Sequence, residues 1–221
     1  ELKCVLLLLK ENGQKILKNK TKKFIYLISP EKIREKSFLR SLELVLKSNK
    51  IKYFQLRLKK EKFTRKFLIA KKISKICKKY NVKLIINDDP YLTLKVNADG
   101  CHLGQSDMCL IEAKKILKNK LIGITCHNSI KLAKEAYINK ANYIAIGAFY
   151  KSITKKVIYR ANIKTLTNIK KLVKIPIVVI GGITQQNYKK LLLNKADFLA
   201  ISSYIWNNKK LKPRQAINNL K

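Results

Sequence analysis

The chain has 221 residues, a hydrophobic content of 47% and a net charge of +37. Its length suits one domain with a single core, and no apolar run reaches the roughly 18 residues of a membrane-spanning helix, so we expect a soluble protein without a membrane partner. The charge makes nucleic acid, anionic membranes and phosphorylated substrates candidate partners. Only six of the fifty basic residues are arginine, the residue favoured in nucleic-acid readout, so we expect no specific nucleic-acid partner.

The five cysteines form no C-x-x-C pair and no metal-type cluster. Such a set indicates reduced, mostly buried thiols that pack as small hydrophobic side chains. The expected location is the cytoplasm, and the sequence leaves the oligomeric state open.

Short apolar runs alternate with segments of helical period from Lys23 onward, which is typical of repeated βα units. A helix precedes them, so we predict an N-terminal helical extension over residues 1–22 and one (β/α)8 TIM barrel over residues 23–221. A doubly wound open sheet is the alternative, but no G-x-G-x-x-G loop follows the first strand. The eight predicted strands are residues 24–28, 53–56, 84–86, 100–102, 122–125, 143–146, 177–180 and 198–201.

The predicted helices have apolar faces and polar first residues. In residues 63–80 one apolar stripe opposes a lysine-rich face. Its members are Phe67, Ala70, Ile73, Ile76 and Cys77. Asn128 or Ser129 is expected to cap the helix that runs to Ile138, and Thr184 the helix that begins near Gln185.

Polar side chains gather where the predicted strands end, which in such a barrel is the functional face. Gln55, Arg57 and Lys59 alternate along the end of strand 2, so an amide and two cations project to one side. Thr125 ends strand 5. Residues 147–155, after strand 6, carry hydroxyls and amines and resemble either a mobile lid or an ordinary basic surface loop.

Carboxylates follow two neighbouring strands. Strand 3 ends in Asn87, Asp88 and Asp89, and the loop after strand 4 contains Asp107. Oxygen ligands on separate loops, completed by phosphate and water, are a common way to hold Mg2+. The alternative is that Asp88 and Asp107 only cap helices.

The last two loops are candidates for phosphate binding. Gly181 and Gly182 follow strand 7, and Ser202 and Ser203 follow strand 8. Barrels frequently bind phosphate at these loops through backbone N–H groups, although a tight turn also explains the two glycines.

Five motifs in this order resemble those of thiamine phosphate synthases, a family of (β/α)8 enzymes, over residues 24–206. The motifs are Q-L-R-L-K at 55–59, I-N-D-D at 86–89, A-D-G-C-H-L-G-Q-S-D at 98–107, S-I-T-K at 152–155 and I-G-G-I at 180–183. The resemblance implies that a pyrimidine diphosphate joins a thiazole phosphate to give thiamine phosphate and diphosphate. Loss of diphosphate would give a pyrimidine-methyl cation that the thiazole nitrogen captures, without a protein nucleophile.

The resemblance also implies a role for each site residue, with Lys155, Thr125 and Arg57 as the catalytic ones. Mg2+ would be held by Asp88 and Asp107, and the pyrimidine by Gln55. The groups implied to hold the diphosphate are Arg57, Lys59, Asn87 and Lys155. Thr125 would lie beside the reacting groups, and a loop with Ser152 and Thr154 would cover the substrates. The groups implied to hold the thiazole phosphate are Gly182, Ser202 and Ser203.

Four positions depart from the family pattern. Leu58 stands in place of an acidic residue, Thr125 in place of a serine, and Ala148 and Lys151 in place of prolines. None of them removes a metal ligand or a cation of the site. The departures therefore bear on loop geometry and turnover rate more than on the reaction.

Two other functions remain open from the sequence. The related thiazole tautomerases share the fold and the phosphate site but transfer a proton without diphosphate or metal, and His127 would then carry the proton. The second alternative is a basic barrel that has lost catalysis and binds nucleic acid or acidic surfaces. Retention of Asn87, Asp88, Asp107 and Lys155 favours the synthase.

We interpret His102 as a core residue, and His127 as either the start of a helix or a site residue.

Overall fold

A computed structural model describes residues 23–151 and 158–221. Within these ranges eight parallel strands close into a barrel in the order of the chain, with β8 paired to β1. The strands are β1 (Ile25–Ile28), β2 (Ile51–Leu56), β3 (Lys83–Asn87), β4 (Gly100–Leu103), β5 (Leu121–His127), β6 (Tyr143–Gly147), β7 (Ile177–Ile180) and β8 (Phe198–Ile201). All eight predicted strands are confirmed. The predicted extension over residues 1–22 lies outside the described residues.

Helices cover the outside of this barrel, as its alternating sequence predicts. The described helices are α1 (Glu35–Leu46), α2 (Phe63–Lys79), α3 (Pro90–Lys95), α4 (Leu110–Leu117), α5 (Ile130–Ile138), α6 (Ile163–Leu172), α7 (Tyr188–Leu193), α8 (Ser203–Trp206) and α9 (Pro213–Asn218). No helix in the described part of the chain is both long and apolar enough to cross a membrane.

The apolar core has two parts because each strand is buried on both faces. The larger cluster lies between the strands and the helices. A smaller cluster fills the barrel interior and consists of Tyr26, Ile28, Ile85, Tyr143, Ala145, Val178 and Ala200. Gly123 makes room for the ring of Tyr143, since a Cβ at that position would lie 1.9 Å from a ring carbon. A larger residue there would displace the tyrosine.

The predictions for the described helices are confirmed except for the start of α7. Helix α2 buries Ala70, Ile73 and Cys77 of the predicted stripe, while Phe67 and Ile76 are partly buried. The prediction for Thr184 is confirmed only in part: its hydroxyl accepts a hydrogen bond from Gln186 N (3.3 Å), as a cap would, but α7 begins only at Tyr188. The intervening turn is held by the side chain of Asn187, which accepts a hydrogen bond from Thr184 N (2.9 Å) and donates one to Gly182 O (2.9 Å).

The described cysteines are free thiols. Cys77, Cys101 and Cys126 are buried, and Cys109 is exposed. Burial raises the pKa of Cys101 and Cys126 to about 12, so both remain protonated at neutral pH. The burial and protonation of these thiols agree with the predicted structural role of the cysteines.

Ser129 caps α5, and its removal should cost stability. Its hydroxyl accepts a hydrogen bond from Leu132 N (3.2 Å). We expect Ser129→Ala to lower the free energy of unfolding by about 1 kcal/mol, measured by denaturant titration, because one N–H group of the first turn loses its acceptor. Ser129→Asp keeps an acceptor at the same place and should keep wild-type stability. Equal stability of all three proteins would contradict the assignment.

Candidate active site

The closed barrel brings the predicted site residues to one end. Gln55 lies in β2 and Asn87 ends β3, while Thr125 lies near the end of β5. The loops after β2, β3, β4, β7 and β8 carry Arg57, Lys59, Asp88, Asp107, Gly182 and Ser202, and Ser203 begins α8. Ser152, Thr154 and Lys155 lie outside the described residues. The carboxyl ends of parallel strands meet at one face of a barrel, so these groups share a rim.

The two predicted metal ligands lie together beside a cation. Lys59 Nζ is 2.7 Å from Asp88 Oδ2, and Gly104 N donates to Asp107 Oδ2 at 2.7 Å. Burial and a hydrogen bond with the adjacent Asp88 carboxyl raise the pKa of Asp107, while Gly104 N and Lys59 act in the opposite direction. The two carboxylates therefore crowd one another, and a cation between them would relieve that repulsion.

The capping alternative for these two carboxylates is wrong. Asp89, not Asp88, caps α3 by accepting a hydrogen bond from Leu92 N (2.8 Å). Helix α4 begins at Leu110 with Cys109 at the capping position, so Asp107 caps neither helix. Asp88 has φ +62° and donates its N–H to His102 O (2.8 Å). The left-handed backbone at Asp88 turns the side chains of Asp88 and Asp89 apart. Asp89 therefore caps α3, and Asp88 pairs with Lys59.

The donor set fits Mg2+ that is shared with a substrate. In residues 23–151 and 158–221, no group of three or more histidine, cysteine or acidic side chains could enclose a metal. Two carboxylates from separate loops are what Mg2+ needs when phosphate and water supply its other ligands. Asp88 and Asp107 would hold the ion.

A cavity of about 230 Å³ opens next to Asp88, between the ends of β2 and β3. One side is polar, with Lys59, Lys66, Asn87, Asp88 and Asp89, and the other is formed by Leu56, Leu58, Ile86 and Leu92. Leu58 is only 3% exposed. This departure from the family pattern therefore adds an apolar wall and leaves the charged rim intact.

Gln55 and Arg57 lie on the adjacent part of the rim. Gln55 is 3% exposed, and no fully buried side-chain N or O atom of the described residues lacks a hydrogen-bond partner. Arg57 N donates to the hydroxyl of Ser29 at 2.9 Å, and Arg57 Nη1 lies 3.7 Å from Glu31 Oε1. The arginine is thus fixed by its backbone, while its guanidinium has only a long contact with an exposed acid.

Thr125 is tied to the barrel interior. Its hydroxyl lies 2.9 Å from His102 Nε2, and its carbonyl accepts a hydrogen bond from the Gln105 amide. His102 is 8% exposed, and burial lowers its pKa to about 4, so the ring is neutral at neutral pH. The interpretation of His102 as a core residue is confirmed. His127 ends β5 with φ +52°, and its ring centroid lies 4.4 Å from that of Tyr159.

The loops after β7 and β8, which the sequence predicts to bind phosphate, have tight backbone geometry. Gly181 and Gly182 have φ +108° and +61°, and a Cβ on Gly182 would lie 2.3 Å from Lys151 O. Glycine is therefore required by the turn itself. Ser202 donates its hydroxyl proton to Ser29 O (3.2 Å), and Ser203 begins α8. Both loops follow the carboxyl ends of their strands and therefore belong to the same rim.

Sequence reasoning missed three residues that support this rim. Ser29 links the ends of β1 and β2 through Arg57 N, Gln105 holds the carbonyl of Thr125, and Tyr143 contacts His102. Gln105 stands inside a motif quoted above, so it could have been found. Ser29 and Tyr143 act only through contacts with residues far away in the sequence, on other strands.

Similarity to known proteins identifies the family. Residues 25–205 match the sequence model of the family described as thiamine monophosphate synthase. The chain belongs to this family. It is 64% identical to the thiamine-phosphate synthase of Pelagibacter ubique over 200 residues, which cover 90% of this chain and 97% of the relative. It is 38% identical to the thiamine-phosphate synthase of Clostridium acetobutylicum, over 87% of this chain and 92% of that one.

A solved structure of the same family agrees. The thiamine phosphate pyrophosphorylase of Pyrococcus furiosus has a TM-score of 0.79 and 27% identity, and the match covers 91% of this chain and 95% of that one. The expected membership in the thiamine monophosphate synthase family and the (β/α)8 fold are both confirmed. The function expected from the sequence, that of a thiamine-phosphate synthase and hence of a transferase, is confirmed with them.

Proposed function

We propose that this chain joins a pyrimidine diphosphate to a thiazole phosphate in an Mg2+-dependent reaction at the rim formed by the loops after β2, β3 and β4. One observation carries the proposal: Asp88 and Asp107 lie against each other, with Lys59 2.7 Å from Asp88, and both Lys59 and Asp88 line a cavity of about 230 Å³. Paired carboxylates next to a cation suit a diphosphate that arrives with a divalent ion.

Each charged group has a task in this proposal. Asp88 and Asp107 hold Mg2+, which when bound supplies positive charge to the leaving diphosphate. The groups proposed to bind the diphosphate oxygens are Arg57, Lys59, Asn87 and Lys155. Charge that builds on the departing oxygens is thereby neutralised by groups already in place.

The remaining site residues orient the two organic parts. Gln55 is 3% exposed in β2, and its amide offers both a donor and an acceptor, which suits the ring nitrogens and amine of a pyrimidine. Thr125 lies beside the reacting atoms. Ser152 and Thr154 belong to the loop proposed to cover the substrates, and the proposed binders of the thiazole phosphate are Gly182, Ser202 and Ser203.

The reaction needs no protein nucleophile. The C–O bond between the pyrimidine methylene and the diphosphate breaks, and its electron pair leaves on the diphosphate. The lone pair of the thiazole nitrogen then forms the new C–N bond. The protein binds, orients and excludes water, because water would compete for the same carbon.

The tautomerase alternative receives less support from the described residues. A tautomerase would have no use for two crowded carboxylates paired with Lys59. His127 packs against Tyr159, with ring centroids 4.4 Å apart. The paired carboxylates therefore favour the synthase.

The function is tested by incubating the purified chain with both substrates and following thiamine phosphate and diphosphate by liquid chromatography. We expect stoichiometric formation of the two products with Mg2+, a loss of at least about 100-fold in rate with excess chelator, and full recovery when Mg2+ is added back. Omitting either substrate serves as the control. A full rate in chelator would contradict the metal, and absence of product under all conditions would contradict the reaction.

A further inference from the structure

A chain of hydrogen bonds runs through the barrel interior to Thr125. The hydroxyl of Tyr26, on β1, lies 2.8 Å from that of Tyr143, on β6. The Tyr143 hydroxyl lies 3.1 Å from Nδ1 of His102, and Nε2 of His102 lies 2.9 Å from Thr125 Oγ1. Tyr26 and Tyr143 are each 2% exposed. Their protons are therefore removed from water and must be donated within this chain of groups.

The direction of the hydrogen bonds follows from the number of available acceptors. Among the described residues the Tyr26 hydroxyl has one partner, so its proton is donated to the Tyr143 oxygen. The Tyr143 proton is then donated to Nδ1 of His102, which must carry no proton. His102 is thus a neutral imidazole protonated on Nε2, and it donates to Thr125 Oγ1.

Every arrangement with a proton on Nδ1 is worse. The two tyrosine hydroxyls could then donate only to each other, so one of their two protons would be buried without an acceptor. A buried donor that loses its partner is strongly disfavoured. A doubly protonated His102 ring also carries a proton on Nδ1. It would leave the same tyrosine proton without an acceptor and is excluded for the same reason.

Because the hydrogen bonds run from Tyr26 towards Thr125, the hydroxyl proton of Thr125 is not used within this chain of groups. Its oxygen accepts from His102, and none of the described residues accepts the threonine proton. We infer that Tyr143 and His102 are positioning residues that hold the Thr125 hydroxyl as a hydrogen-bond donor towards the substrates. The inference rests on the proposed function, which puts Thr125 beside the reacting atoms. A threonine proton bonded to His102 would be turned away from them.

Two tyrosine variants separate this role from general packing. Tyr143→Phe removes the donor to Nδ1, so the ring is free to change tautomer, and kcat should fall about tenfold with little change in either KM. Tyr26→Phe deletes an equivalent buried hydroxyl but leaves the Tyr143 to His102 hydrogen bond in place. Its kcat should fall much less than that of Tyr143→Phe. Equal losses in the two variants would overturn the inference.

A double-mutant cycle tests whether Tyr143 acts through Thr125. Thr125→Val removes the hydroxyl, so adding Tyr143→Phe to it should cause no further loss in kcat. Thr125→Ser keeps a hydroxyl and should remain sensitive to Tyr143→Phe. A merely structural role for Tyr143 would give losses that multiply in both backgrounds.

The tautomer of His102 is measurable without substrate. The chain has two histidines, so His127→Gln leaves one imidazole, and its 15N chemical shifts distinguish protonated from unprotonated ring nitrogens. We expect a proton on Nε2 and none on Nδ1 at neutral pH. If Nδ1 is protonated and the wild type makes thiamine phosphate, the inference is overturned and the proposed function stands. An inactive wild type with the expected tautomer would instead overturn the proposed function, and with it the role of Thr125 towards substrate.

Discussion

Asp107→Asn should lower kcat by about 10³-fold, equivalent to about 4 kcal/mol of transition-state stabilisation, measured at saturating Mg2+ and substrates. The amide keeps the shape of the side chain and the oxygen that accepts from Gly104 N, but it loses the charge that attracts the ion. Binding of Mg2+ with inorganic diphosphate, measured by calorimetry, should weaken in parallel. Asp88→Asn should behave in the same way.

The matched control is Asp89→Asn, one residue from Asp88. The Asp89 carboxylate caps α3, and asparagine caps a helix about as well as aspartate. We therefore expect wild-type kcat and wild-type diphosphate binding in this variant. A similar loss in the Asp89 and Asp107 variants would show that general loss of negative charge, and not metal binding, reduces activity. Full activity of Asp107→Asn would remove the proposed metal site.

Lys59→Met should lower kcat/KM for the pyrimidine diphosphate about 100-fold, or about 2.7 kcal/mol, and leave the KM for the thiazole phosphate unchanged. The amine lies 2.7 Å from Asp88 and lines the cavity, so it is placed to contact both the carboxylate and an incoming phosphate. Steady-state kinetics with each substrate varied in turn measures the two effects separately. Lys59→Arg should recover only part of the loss, because a planar guanidinium does not replace a point charge at this geometry.

Lys60→Met provides the control for charge. Lys60 is the next residue and is exposed, so the variant removes the same charge from nearly the same position in a chain of net charge +37. Long-range attraction of anionic substrates should therefore fall equally in both variants. We expect kcat/KM of Lys60→Met to stay close to the wild-type value. Equal losses in kcat/KM for the Lys59 and Lys60 variants would show that Lys59 acts only through the overall positive field of the protein.

The barrel could be predicted because its strands carry their own signal. Parallel strands buried on both faces appear as short apolar runs, such as Ile177–Ile180, and the intervening helices show a single apolar stripe. Competing hydrogen bonds within a loop limited the prediction of where a helix begins. Thr184 caps the turn that follows it through Gln186 N, but Asn187 bonds back to the loop and α7 begins only at Tyr188.

The position of the site could also be predicted, because strand ends share one face of a barrel whatever the details of their loops. The individual roles of neighbouring residues could not. Asp88 and Asp89 are identical side chains in sequence, and only the left-handed backbone at Asp88 sends one to Lys59 and the other to α3.

The sequence by itself determined the alternation of strands and helices, the family motifs and the set of charged residues at the rim, since these depend on residue type and short-range spacing. The tertiary structure alone decided that Tyr26, Tyr143, His102 and Thr125 form one line of hydrogen bonds. Tyr26 and Tyr143 are 117 residues apart in the chain, and they meet because a closed barrel brings β1 and β6 to face each other across its interior. No local pattern records such a contact, because the physical requirement that buried protons find acceptors acts only on neighbours in space.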